Sequence, residues 1–127
     1  MSKNSKEDPL HSSSINLAER MFSTPNGVIH YWISTVPGER TWLVFLPGLT
    51  ADHRLFEKQI EEFEDEYNLL VWDAPGHGFS RHFDLNFSLA DEAHWLHSIM
   101  THEGIYKPVL IGQSMGGYVA QALMERY

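Results

Sequence analysis

Cysteine is absent from the 127 residues, which excludes disulfides, thiolate catalysis and cysteine-ligated zinc and is compatible with a reducing compartment. Positive charge is scarce as well. Nine lysines and arginines stand against 17 acids, and the net charge of -8 argues against a broad basic surface for nucleic acid. Long apolar runs are also missing. None approaches the ~18 residues of a membrane span, and the lysines near the N-terminus have no apolar stretch behind them, unlike a secretory leader. The expectation is a soluble, cytoplasmic protein with neither a membrane span nor a nucleic-acid partner.

Apolar material is plentiful in short pieces: 43% of residues are hydrophobic, enough for the core of one domain. Residues 1–14 are polar and serine-rich, too poor in apolar groups to offset the entropy of ordering, and read as a mobile tail. The domain therefore occupies 15–127. Arg20 to Thr24 and Val28 to Thr35 suit strands, and Thr24-Pro25-Asn26-Gly27 between them is turn chemistry, so an antiparallel hairpin is expected. Thr41 to Leu46 and Asn68 to Asp73 are continuous apolar runs, as in strands buried on both faces. Between them Phe56, Ile60, Phe63 and Tyr67 recur at helical spacing with acids opposite, which predicts an amphipathic helix from about His53 to Glu66 and a parallel strand pair. A loop from Ala74 to Phe87 precedes Ser88-Leu89-Ala90-Asp91, a capping-box pattern that opens a helix with Leu89, Ala93, Leu96 and Met100 as its apolar stripe and Gly104 as its stop. Pro108 to Ile111 is a third parallel strand, followed by a helix from Met115. The alternation specifies an α/β sheet, a hairpin plus three parallel strands with helices on both faces.

The chemistry concentrates at the last turn. Val109-Leu110-Ile111-Gly112-Gln113-Ser114-Met115-Gly116-Gly117 runs from strand through a glycine-bounded turn into a helix, the pattern G-x-S-x-G. Gly112 and Gly116 let strand and helix approach closely enough to hold Ser114 in a strained conformation with its hydroxyl exposed, a mount for a catalytic nucleophile. A serine hydroxyl needs a base and oxyanion donors. Ligands of parallel sheets sit at the carboxyl ends of strands, so the loops at 47–54 and 74–82 should converge on this elbow. The backbone N–H of Met115 at its helix start is one donor, and Leu49 in Pro47-Gly48-Leu49 brings a second.

Other polar residues carry less. His53 reads as the start of a helix. His94 and His97 lie three apart beside Asp91, but no third ligand is identifiable, so no metal site is expected, and no cofactor. Trp32, Trp42, Trp72 and Trp95 read as core or core-edge aromatics.

Three motifs in order, Leu46-Pro47-Gly48-Leu49, Asp73-Ala74-Pro75-Gly76-His77-Gly78-Phe79-Ser80 and Gly112-Gln113-Ser114-Met115-Gly116-Gly117, resemble the α/β-hydrolase fold family over residues 20–127. Many relatives place His-Gly where this chain has Pro47-Gly48. The resemblance implies a serine-nucleophile branch that takes in esterases, lipases, thioesterases, peptidases and C–C bond hydrolases, with peroxidase-like and lyase members. Serine at position 114 sets aside the aspartate-nucleophile branch, and the resemblance implies that His77 is a loop residue that helps shape its turn. It also implies that the catalytic acid and histidine follow the serine, in that order. Thirteen residues follow Ser114, about 20 Å of helix, and they hold neither loop. The expectation is an N-terminal part of a hydrolase for a small acyl substrate, with a binding module or an incompetent fragment of the same fold as the alternative. The strand carrying Ser114 should leave an apolar edge open to self-association.

Overall fold

The structure, a computed structural model, describes residues 17–127. The tail expected over residues 1–14 lies outside the described residues. Strands β1 (Ala18–Thr24) and β2 (Gly27–Ser34) form the expected antiparallel hairpin, with Thr24 opposite Gly27. The Thr24 hydroxyl oxygen accepts from the N–H groups of Asn26 and Gly27 at 3.0 and 3.1 Å and donates to the Gly27 carbonyl at 2.8 Å, which holds the turn closed.

Strands β3 (Trp42–Leu46), β4 (Asn68–Trp72) and β5 (Val109–Gly112) are mutually parallel, and the sheet order is β1-β2-β4-β3-β5, with β2 antiparallel to β4. The side-chain period of two sorts β3 between two cores. Val44 and Leu46 join Leu70, Trp72 and the helices α2 (Leu89–His102) and α3 (Met115–Arg126) on one face. Leu43 and Phe45 join Leu69, Val71, Phe56 and Ile60 on the other, under α1 (Glu57–Phe63). Among the described residues no helix is long and apolar enough to cross a membrane.

The helix predicted over 53–66 is two pieces and ends at Phe63, three residues early. A 3₁₀ turn, His53–Phe56, precedes α1. The first turn is tightened by side chains: Asp52 accepts from the Arg54 N–H at 3.0 Å and Asp73 accepts from the His53 N–H at 2.7 Å, so local carboxylates take up N–H groups ahead of the regular helix. In α2 the capping box forms as expected, Ser88 Oγ accepting from the Asp91 N–H at 3.1 Å and the Asp91 carboxylate from the Ser88 N–H at 2.9 Å. Gly104, at φ 72°, ends that helix.

The chain steps from β3 to β4 on one side, then crosses back over β3 to reach β5 on the other. The carboxyl ends of β3 and β5 therefore lie side by side where the strand order reverses, the place at which open α/β sheets bind ligands in a crevice. The outer edge of β5 is open, with Val109 exposed and Leu110 and Ile111 half-buried.

Candidate active site

Ser114 stands between β5 and α3 at φ 57°, ψ -119°, a region that residues with a Cβ rarely occupy and that costs on the order of 1–3 kcal/mol. Its neighbours hold it there. The Gly116 N–H donates to the Gln113 carbonyl at 3.0 Å, the Gly117 N–H to the Ser114 carbonyl at 2.8 Å, and the Gln113 N–H to the Leu46 carbonyl of β3 at 3.1 Å. The two flanking glycines are required by contact. A Cβ on Gly112 would lie 2.6 Å from the Gly116 carbonyl group, and one on Gly116 would run into the Leu46 carbonyl oxygen. Both obstacles are backbone and cannot swing aside. Gly116→Ala is therefore expected to destabilise the fold by about 1–3 kcal/mol or more, as overpacking does. Gly117→Ala is the control: a Cβ there meets nothing within 4 Å and should gain up to about 1 kcal/mol of helix propensity. Urea denaturation of the two variants checks the contrast.

The loop after β3 lies directly against this elbow. The Gly48 N–H donates to Gln113 Oε1 at 3.1 Å, and a Cβ on Gly48 would sit 2.7 Å from that of Ser114. The side chain of the residue before the serine thus anchors the loop that carries Leu49. Among the described residues no hydrogen bond takes up the N–H of Met115 or of Leu49, and both residues line the same cavity. Ser114 itself is exposed.

The loop after β4 joins through Asp73, which is fully buried. One of its oxygens accepts from the His53 N–H at 2.7 Å and meets His53 Nδ1 at 2.9 Å, and the other accepts from the Phe79 N–H at 2.8 Å. The His53 ring stacks on Trp32 at 3.7 Å between centroids. Asp52, His53 and Asp73 come close enough to suggest a cation site, yet every one is committed: Asp73 as described, and Asp52 to the Arg54 guanidinium at 2.6 Å. They work as a clamp between two loops. The Asp52 carboxyl is held below its ordinary range, chiefly by hydrogen bonding to Arg54. His77 shapes its turn as expected, with Nδ1 3.2 Å from the Pro75 carbonyl. His94 and His97 do not gather around Asp91. His94 meets the Tyr127 hydroxyl at 3.3 Å and His97 stacks on the Tyr127 ring.

The three predicted loops converge on a cavity of about 510 Å³, with Gly48, Leu49, Ala74, His77 and Met115 in its wall. A cavity of similar size, about 500 Å³, opens at the far end of α3 beside His97 and Tyr127, away from the elbow. The wall near the elbow also contains Glu92, a residue the sequence reading passed over. The signal was there: position 92 falls on the apolar stripe of α2, three after Leu89 and four before Leu96. Burial raises the Glu92 carboxyl to about 7.

This shift makes stability depend on pH. In the unfolded chain the group ionises near 4.5, whereas in the folded protein it keeps its proton to about 7. The folded state binds more protons in that window, so the contribution of Glu92 is fully present below 4.5 and is lost as pH rises through 7. At 1.36 kcal/mol per unit the loss is about 3 kcal/mol. Glu92→Gln should be more stable than the parent at pH 8 by an amount that shrinks towards pH 5, read from denaturation curves at the two values.

Comparison with known proteins agrees with this geometry. The model of the alpha/beta hydrolase fold family matches residues 41–127. The magnesium-chelatase 30 kDa subunit of Rhodobacter capsulatus is 36% identical over 99 residues, 76% of this chain and 35% of that protein. The 2-succinyl-6-hydroxy-2,4-cyclohexadiene-1-carboxylate synthase of Citrobacter koseri is 40% identical over 80 residues, 62% of this chain and 31% of that one. The chain thus spans about a third of the length of the curated relatives it matches. Among solved structures, the N-acyl homoserine lactonase AidH superposes with a TM-score of 0.74 at 26% identity, covering 87% of this chain and 41% of that one. A bacterial membrane phospholipase A superposes at 0.79 with 21% identity, over 93% of this chain and 38% of that one, a likeness of fold alone. A serine elbow on the third parallel strand, the crevice beside it and a family match over more than half the residues lead to one assignment: the chain belongs to the α/β-hydrolase fold family.

Proposed function

We propose that the protein is a serine hydrolase that acts on an ester or related small acyl substrate through a covalent intermediate at Ser114. One observation carries the reading: a non-glycine residue with a nucleophilic side chain is held at φ 57°, ψ -119° at the head of α3 by glycines whose contacts leave no room for another residue. Strain of this kind persists only where the surroundings over-determine it, and it places the hydroxyl in the open. In the proposed reaction Ser114 Oγ attacks the carbonyl carbon and the N–H groups of Met115 and Leu49 receive the oxyanion. The alcohol or amine then leaves with a proton, and water releases the acyl group.

The proton transfers need a base. His53 is committed to Asp73 and stacked on Trp32, and His77 faces the Pro75 carbonyl. The reading therefore assigns the acid and the histidine to positions beyond Tyr127. Residues 1–127 alone then bind and orient but turn over orders of magnitude more slowly than a complete triad. On the same reading the open edge of β5 pairs with a further strand or with a second copy. Treatment of the full-length protein with a fluorophosphonate tests the assignment: one covalent adduct is expected, mapped by mass spectrometry to Ser114. Folded protein with no adduct there refutes it.

A second reading has an observation of its own. The relatives at 36–40% identity are a chelatase subunit and a synthase by name, neither an esterase. In this reading the same pocket serves lyase chemistry or ligand binding. Ser114 then takes the phosphonate while activated esters are not turned over.

A further inference from the structure

We propose that Glu92 determines substrate specificity, accepting a hydrogen bond from a hydroxyl or N–H group carried on an otherwise apolar acyl chain. The inference rests on the hydrolase reading above and names the class of substrate for that site. Glu92 is the fourth residue of α2 and only 9% exposed, on the same helix face as Ala93 and Leu96. It lines the cavity beside the elbow, where the wall around it is mainly apolar: Trp72, Leu85, Phe87, Met115 and Val119. Among the described residues its carboxyl has no hydrogen bond and no ion pair. The titratable groups in the same wall are His77 and Tyr118, and neither bonds to it.

A buried acceptor left unpaired costs about 1–3 kcal/mol, and a leucine at this position would continue the apolar stripe without that penalty. A carboxyl here is out of keeping with packing alone. It suits a ligand that brings its own donor, because recognition by a buried, otherwise unpaired group rejects analogues that lack the donor far more strongly than an apolar wall does. The cavity, about 510 Å³ and largely apolar, accommodates the rest of such a chain.

The test compares p-nitrophenyl hexanoate, octanoate and decanoate with their ω-hydroxy counterparts on the full-length protein and on Glu92→Leu and Glu92→Gln. At one chain length or more, the wild type should prefer the hydroxylated ester, mainly through KM. Glu92→Leu should lower the hydroxylated-to-plain ratio of kcat/KM by roughly tenfold to a hundredfold, and Glu92→Gln by less. Ratios within twofold of wild type in Glu92→Leu at every length overturn the proposal. That is also the expected result if the carboxyl is satisfied by another part of the protein. Binding of 2-octanone against 8-hydroxy-2-octanone, followed by tryptophan fluorescence, separates this inference from the hydrolase reading. If no ester is cleaved yet the hydroxyketone is preferred and Glu92→Leu abolishes that preference, the hydrolase reading fails and Glu92 stands. Esters cleaved without a hydroxyl preference overturn the role of Glu92 alone.

Discussion

Ser114→Ala in the full-length protein is expected to abolish phosphonate labelling and to lower kcat/KM for an activated ester by about four to six orders of magnitude, the size of loss seen when a nucleophile is removed from a serine triad. Binding should survive, because the cavity wall and the backbone N–H groups of Met115 and Leu49, the proposed oxyanion donors, are not altered. Stability discriminates further. Alanine at φ 57°, ψ -119° carries the same Cβ penalty as serine, so Ser114→Ala should unfold at nearly the wild-type denaturant concentration. Ser114→Gly relieves the strain and should be more stable by roughly 1–3 kcal/mol while equally inactive. A more stable, inactive glycine variant is the signature of a residue held under strain for its chemistry. An alanine variant within tenfold of wild-type activity would remove Ser114 from the reaction.

The second large effect is structural. Asp73→Ala is expected to cost about 3–5 kcal/mol, the range for removing one partner from a buried, charge-assisted set. Two backbone N–H groups, those of His53 and Phe79, lose their acceptor, and the His53 ring loses its partner. Asp73→Asn keeps the shape but turns one acceptor into a donor that faces an N–H, and should cost less, about 1–3 kcal/mol. Both variants loosen the loop after β3, so a fall in activity should accompany the fall in stability. Thermal unfolding and ester kinetics on the same samples check the two together. An alanine variant as stable as the parent would show that the clamp is dispensable.

Much of the architecture was legible because the relevant signals are local. The apolar runs Trp42 to Leu46 and Asn68 to Trp72 could be little else than strands covered on both faces, and Val44 and Phe45 do point into different cores. The capping box at Ser88 and Asp91 depends on residues three apart. The 3₁₀ form of the turn at His53–Phe56 is not legible in the sequence, for the opposite reason. That turn is shaped partly by Asp73, twenty residues away, and periodicity carries no information about such a partner.

The same division runs through the site. A glycine-serine-glycine turn between an apolar strand and a helix is a short-range pattern, set by which residues tolerate the dihedral angles and the close approach, so the chain alone determined the elbow, the hairpin and the alternation of strands and helices. What only the tertiary structure decided are relations between distant segments. These are the sheet order that puts β3 between β4 and β5, the Gln113 side chain bonded to Gly48, the Asp73 carboxylate bonded to His53, and the unpaired Glu92 carboxyl in the cavity wall. Each depends on which surfaces become buried against which, and burial belongs to the packed chain as a whole rather than to any window of its sequence.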